Sequence, residues 1–113
     1  MKDYPAIVDG ITTRLKALRQ DIGPAMQGFS ALSQGAMKSG ALDPKVKELI
    51  ALAIGVAKRC DGCIGFHTQA LVKLGVTRQE LEEVLGVAIY MGGGPSLMYA
   101  ADAMVAFDQF TAS

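Results

Sequence analysis

The chain has 113 residues, with 11 basic and 11 acidic side chains, so its formal net charge is zero. This length predicts a single domain over residues 1–113. A neutral chain gives no electrostatic reason to expect a nucleic-acid or anionic membrane partner. Half of the residues are hydrophobic, few are aromatic, and Trp is absent. This composition favours closely packed helices over sheets, and its apolar excess predicts that some surface is buried between subunits.

The N-terminal residues have neither the long apolar segment nor the small-residue cleavage site of a signal peptide. The longest apolar run, residues 49–57, is far too short to span a membrane. We therefore expect a cytoplasmic protein. In that compartment a close pair of cysteines is more often catalytic or metal-binding than a structural crosslink.

The predicted elements are all helices. Apolar residues at helical spacing predict a first helix over residues 5–22 and, more weakly, a second over residues 25–38. Asp43 is a good N-cap, and Pro44 suits the first position of a third helix that ends near residues 58–59. The second half of this third helix is apolar on nearly every side, so we expect it to be buried all round.

The fourth helix is predicted over residues 60–74, with Gly75 as its C-terminal cap. Thr77 and Glu80 form a capping box that opens a fifth helix, which ends near Met91. The glycine run that follows lacks the Lys-Ser/Thr of a phosphate-binding loop, so we interpret it as a helix stop. A sixth helix over residues 96–110 completes an all-α domain.

Both cysteines and the only histidine lie between residues 59 and 71. Cys60, Cys63 and His67 are spaced by three and then four residues, which places them on one face of a helix. The free N–H groups and positive dipole at the start of that helix favour the thiolate form of a cysteine. His67 lies one turn beyond Cys63, where it can take up or return a proton.

Glu48 joins this group by geometry. It precedes the break at Lys58 by roughly 15 Å of helix, and His67 follows Cys60 by roughly 10 Å of helix. If the third and fourth helices are antiparallel neighbours, Glu48 can therefore meet His67 and orient its imidazole. The residues then predict a proton relay of Glu48, His67 and Cys63, with Cys60 as the resolving thiol.

Other interpretations of these residues remain open. The cysteines could be inert small hydrophobes, His67 a surface or core residue, and Glu48 a solvated charge. Cys60, Cys63, His67 and Glu48 could also ligate zinc, but structural zinc usually draws on two ligand pairs, so we expect no metal. Covalent haem is disfavoured because Ile64, not histidine, follows the second cysteine.

The combination of Glu48, the segment Cys60-Asp61-Gly62-Cys63 and His67 resembles the signature of the AhpD-like alkylhydroperoxidase group. That group belongs to the carboxymuconolactone decarboxylase family. The resemblance covers roughly residues 42–106. It implies an AhpD-like fold of about six helices that assembles as a homo-oligomer, trimer or hexamer.

The resemblance also implies a chemistry. Cys63 would be the thiol that reacts with peroxide or forms a mixed disulfide, Cys60 its partner and proton donor, and Glu48 and His67 the relay. The implied function is a thiol-dependent peroxidase or disulfide oxidoreductase that reduces hydroperoxides or a partner protein's disulfide. No prosthetic group is required, because the reducing equivalents come from another protein or a small thiol.

One position departs from the resemblance. The best-known peroxidases of the group carry a second histidine where this chain has Gly62, so we expect a shorter relay and weaker peroxidase activity. Two other functions remain as alternatives. The chain could be a lyase or isomerase on a cyclic lactone that uses Glu48 and His67 without the thiols, although the decarboxylase branch generally lacks the cysteine pair. It could also be a non-catalytic redox sensor.

Overall fold

The computed structural model describes residues 1–112, which form six α-helices and no strand. The helices are α1 (Tyr4–Asp21), α2 (Gly23–Met37), α3 (Pro44–Ala57), α4 (Asp61–Lys73), α5 (Arg78–Gly92) and α6 (Gly94–Thr111). The predicted all-α class and the predicted number of helices are confirmed. None of the helices in this described part of the chain is long and apolar enough to cross a membrane.

Helix α4 is the central element, because it packs against α1, α3 and α6. Its residues Ile64 and Leu71 are fully buried. Around them lies one apolar core, to which four other helices contribute: Tyr4 of α1, Leu52 and Val56 of α3, Leu81 and Leu85 of α5, and Ala100, Ala103, Ala106 and Phe107 of α6. The small alanines of α6 allow that helix to approach α4 closely.

The helix ends follow the predicted capping chemistry. The Asp43 side chain accepts a hydrogen bond of 2.8 Å from the backbone N–H of Val46, which caps α3. Thr77 accepts from the Glu80 backbone N–H at 3.1 Å, while the Glu80 carboxylate accepts from the Thr77 N–H at 2.9 Å. The capping box at α5 is therefore confirmed. Gly75, after α4, has a φ of 77°, the left-handed conformation expected of a C-terminal glycine cap.

The prediction that the second half of α3 is buried all round is wrong for the single chain. Leu52 and Val56 are fully buried, but Ile50 and Ile54 are 47% and 52% exposed. The reason is that α4, α5 and α6 pack against α3, whereas α2 makes few contacts with it. The apolar residues on the uncovered side therefore face outward.

Helix α2 carries the same kind of surface. It has no buried residue, and Phe29 and Leu32 are each about two-thirds exposed, at 66% and 67%. Between α3 and α5 there is also an apolar groove of about 320 Å³, lined by Val46, Leu49, Ile50, Ala53, Ile54, Val84 and Val87. A contiguous apolar surface of this kind typically marks a contact with another protein chain.

We therefore predict that the chain forms a stable homo-oligomer, a trimer or hexamer, through this apolar surface. Light scattering at micromolar concentration should give a mass that is a multiple of the 11.9 kDa chain. Ile54→Glu should lower that mass because it buries an unpaired charge in the interface. Thr12→Glu, the same charge change on the exposed face of α1, should leave it unaltered. A monomeric mass for the unsubstituted protein would contradict the prediction.

Candidate functional site

A tight turn between α3 and α4 places Cys60 at the start of α4. Arg59 adopts a φ of 57°, a left-handed conformation that is uncommon for residues other than glycine. Its backbone N–H bonds to the carbonyl of Val56 at 3.1 Å, and the N–H of Cys60 bonds to the carbonyl of Gly55 at 3.0 Å. These bonds satisfy the end of α3 and reverse the chain, so that α4 runs back along α3.

Gly55 sets how closely the two helices approach. A Cβ added at Gly55 would lie 2.8 Å from the Cβ of Cys63, too close for two real side chains. The absence of a side chain at residue 55 therefore brings α3 against α4 beside the second cysteine. Because Gly55 faces Cys63 while the earlier Glu48 faces the later His67, the two helices are antiparallel, as the relay hypothesis requires.

Cys60 and Cys63 form a disulfide, with their Cα atoms 5.2 Å apart. Helix α4 begins at Asp61, and Cys60 is its N-cap. The prediction that the helix begins at Cys60, with this cysteine in its first turn, is wrong by one residue. The sulfur of Cys60 accepts a hydrogen bond of 3.1 Å from the backbone N–H of Cys63. Both cysteines are partly buried. The pair thus lies at the positive end of the α4 dipole, with one sulfur bonded to a free backbone N–H.

Glu48 and His67 meet as the helix geometry predicts. The Nδ1 atom of His67 lies 2.6 Å from Oε2 of Glu48, and the Glu48 side chain is only 16% exposed. The alternative that Glu48 is simply a solvated charge is therefore wrong. A carboxylate at Nδ1 fixes the ring orientation and leaves Nε2 as the nitrogen that can exchange a proton with another group. Within residues 1–112 the imidazole bonds to Glu48 alone.

Sequence reasoning missed a second polar cluster at the start of α4. Asp61, which follows Cys60, accepts hydrogen bonds from the Lys2 ammonium and the Tyr4 hydroxyl, each at 2.9 Å. Lys2 also reaches Asp102 of α6 at 2.8 Å. These two carboxylates, Asp102 first, raise the pKa of Lys2, while burial and then the bond to Asp61 raise the pKa of Tyr4. No local pattern could have revealed contacts between residues so distant in the chain.

Helix α1 also covers the position next to Asp61. A Cβ at Gly62 would lie 2.9 Å from Cδ1 of Ile11, so a larger side chain there would require Ile11 to move. Within residues 1–112, no group of three or more His, Cys, Asp and Glu side chains is arranged to hold a metal ion.

The chain is similar to a known protein family and to several individual proteins. The model of the carboxymuconolactone decarboxylase family matches residues 23–106, a match that starts before the residues 42–106 of the sequence resemblance. An uncharacterized protein from Cupriavidus necator is 43% identical over 102 residues, 90% of each chain. Another, from the cox locus of Paracoccus denitrificans, is 33% identical over 81 residues, 72% of this chain and 73% of the relative.

A solved structure is similar over almost its whole length. It is the apo form of a carboxymuconolactone decarboxylase family protein from Legionella pneumophila, with 59% sequence identity, a TM-score of 0.94 and 96% of both chains covered. Together with the family model, which spans most of the six-helix domain, this likeness establishes that the chain belongs to the carboxymuconolactone decarboxylase family.

Proposed function

We propose that the protein is an AhpD-like, thiol-dependent peroxidase or disulfide oxidoreductase. It would reduce hydroperoxides, or a disulfide of a partner protein, through the Cys60–Cys63 pair. The observation that supports this most directly is the disulfide at the N-terminus of α4 beside the Glu48–His67 pair. We further propose that it acts in the cytoplasm, where thiol reductants maintain a supply of electrons.

The first step begins with the reduced pair. The Cys63 thiolate attacks the terminal oxygen of the hydroperoxide, an S–O bond forms, and the O–O bond breaks. The leaving alkoxide takes a proton from His67 or from the Cys60 thiol and departs as an alcohol. Glu48 stabilises the charged imidazole during this transfer because its carboxylate lies 2.6 Å from Nδ1. Cys63 is left as a sulfenic acid.

The second step forms the disulfide. The Cys60 sulfur attacks the sulfenic sulfur of Cys63, the S–S bond forms, and water leaves after taking a proton. The two thiols have then supplied the two electrons that reduced the hydroperoxide to alcohol and water. Two thiols from another protein or from a small molecule return the pair to its reduced state and become a disulfide themselves.

The roles of the two sulfurs follow from their surroundings. Cys63 lies one helical turn before His67, whereas Cys60 lies about two turns away. The N–H of Cys63 also bonds to the Cys60 sulfur, which stabilises negative charge on Cys60 when an incoming thiol breaks the disulfide. The incoming thiol would therefore attack Cys63 and displace Cys60. If Cys60 were the nucleophile instead, the same hydrogen bond would stabilise its thiolate before the attack. An experiment must therefore assign the two roles.

Single serine variants of the cysteines test this assignment. Cys60→Ser should react once with cumene hydroperoxide and leave a sulfenic acid at residue 63 that a dimedone probe can trap, with mass spectrometry as the readout. Cys63→Ser should be nearly inert. Serine is a good N-cap, so Cys60→Ser should also keep the start of α4 intact. A sulfenic acid that forms at residue 60 in Cys63→Ser, with Cys60→Ser inert, would show that the roles are reversed.

Substitution of Glu48 and His67 tests the relay. Glu48→Gln and His67→Ala should each slow the reaction with hydroperoxide near pH 7 by about tenfold or more, as expected for loss of proton transfer. The double variant should be little slower than the slower single variant, because the two residues act as a unit. Glu82→Gln, which changes an exposed carboxylate on α5, is the matched control and should have no effect. Fully additive losses would mean that Glu48 and His67 act independently.

A lyase on a cyclic lactone is the second candidate, because the family's own description names a decarboxylase and the Glu48–His67 pair could serve acid–base chemistry. The double variant Cys60→Ser/Cys63→Ser separates the two functions. We expect it to lose all reaction with hydroperoxide in a coupled turnover assay. Retained turnover of a lactone would instead establish the lyase. Disulfide formation in the wild type without turnover would identify a redox sensor.

A further inference from the structure

The carboxylate of Asp61 is subject to one favourable electrostatic effect and exerts one unfavourable effect on the cysteines. It stands at the first position of α4, where the positive end of the helix dipole stabilises a negative charge. It also lies in sequence between Cys60 and Cys63, where its charge opposes formation of a thiolate. The strength of the unfavourable effect on the thiols depends on whether another group compensates the charge of Asp61.

Two donors from the N-terminal segment, residues 2–4, bond to this carboxylate. The Lys2 ammonium and the Tyr4 hydroxyl both bond to the same oxygen, Oδ1, at 2.9 Å. The Tyr4 hydroxyl is protonated over the physiological range and can donate, and burial followed by the bond to Asp61 raises its pKa further. Lys2 in addition bridges to Asp102, so one cation compensates two carboxylates that come from different helices.

The Lys2 contact differs from an ordinary exposed ion pair, which contributes little because two mobile side chains must be ordered. Here the backbone that carries Lys2 is held in place by Gln109. The Gln109 side chain accepts from the N–H of Tyr4 at 2.8 Å and donates to the carbonyl of Lys2 at 2.7 Å. The Tyr4 side chain is completely buried, and the Lys2 ammonium lies 4.8 Å from the centre of the Tyr99 ring.

Within residues 1–112, the other charged groups near the cysteines form no hydrogen bond or ion pair with Asp61. Lys58 and Arg59 precede the pair in the turn and are exposed. Glu48 and His67 bond to each other. Within residues 1–112, the hydrogen bonds to the Asp61 carboxylate come from Lys2 and Tyr4, both in the N-terminal segment.

We propose that Lys2, supported by Tyr4, is a positioning residue of the thiol site: it compensates the charge of Asp61 and thereby favours the thiolate form of the adjacent cysteines. The proposal rests on the thiol chemistry proposed above. It gives the N-terminal segment a role in setting the reactivity of a site that is otherwise built from α3 and α4.

The test measures thiol reactivity directly, on the reduced full-length protein. The rate of alkylation by iodoacetamide is followed from pH 5 to pH 10, and mass spectrometry assigns the modification to Cys60 or Cys63. In Lys2→Met we expect the midpoint of the pH profile to rise by about half a pH unit, which lowers the rate at pH 7 by about threefold. Tyr4→Phe, which removes one hydrogen bond and keeps the ring, should cause a smaller change in the same direction.

Two further variants separate electrostatics from folding. The double variant Lys2→Met/Asp61→Asn should recover the wild-type rate, because the uncompensated charge is gone. Lys45→Met removes an ion pair of similar exposure, the 2.8 Å contact with Glu80 between α3 and α5, and should leave the profile unchanged. Circular dichroism of each variant checks that the helices are retained.

The outcomes distinguish this proposal from the proposed function. An unchanged profile in Lys2→Met would overturn the proposal, and so would a slower rate that Asp61→Asn fails to restore, since that points to lost packing. Alkylation does not depend on turnover. If the wild type proves unable to reduce hydroperoxides or disulfides while Lys2→Met shifts the profile as expected, the proposed function fails and the assignment of Lys2 stands.

Discussion

The close approach of α3 to α4 at Gly55 is the constraint on which the site depends. A side chain at residue 55 would collide with Cys63, so the two helices can lie together in this register only with glycine there. The same register brings Glu48 to His67, further along the pair. A slip of one helical turn, about 5.4 Å, would exceed the length of a hydrogen bond and separate them. One packing contact thus determines both the environment of the sulfur and the orientation of the imidazole.

Local patterns were sufficient to predict the helices and the contact between Glu48 and His67. N-caps, glycine C-caps and apolar periodicity act within a few residues, and helix rise converts spacing into distance. The outward-facing Ile54 was not predictable in the same way, because an apolar helix can face either the core of its own chain or a neighbouring surface. The contacts of Lys2 with Asp61 and Asp102 depend on tertiary packing alone, since they join residues 59 and 100 positions apart.

The capping role of Cys60 changes how the cysteine pair should be understood. Sequence spacing places Cys60 in the first turn, but its backbone is extended and its sulfur occupies the place usually taken by a Ser or Asp oxygen. The first residue of the motif is therefore both a cap and a thiol. When a reaction leaves negative charge on the Cys60 sulfur, the hydrogen bond from the Cys63 N–H stabilises that charge. Helix formation has already oriented this bond, so the start of the helix contributes to the chemistry of the pair.

The position of α1 connects the packing at Gly62 with the polar cluster at Asp61. Gly62 and Gly65 lie three residues apart on one face of α4, and a Cβ at either would press on α1, against Ile11 and Val8 respectively. Since α1 lies directly on the backbone of α4, a histidine at position 62 would meet Ile11. The same proximity brings the start of α1 within reach of Asp61. The packing that places Ile11 over Gly62 therefore also supplies the charge-compensating contact beside the cysteines.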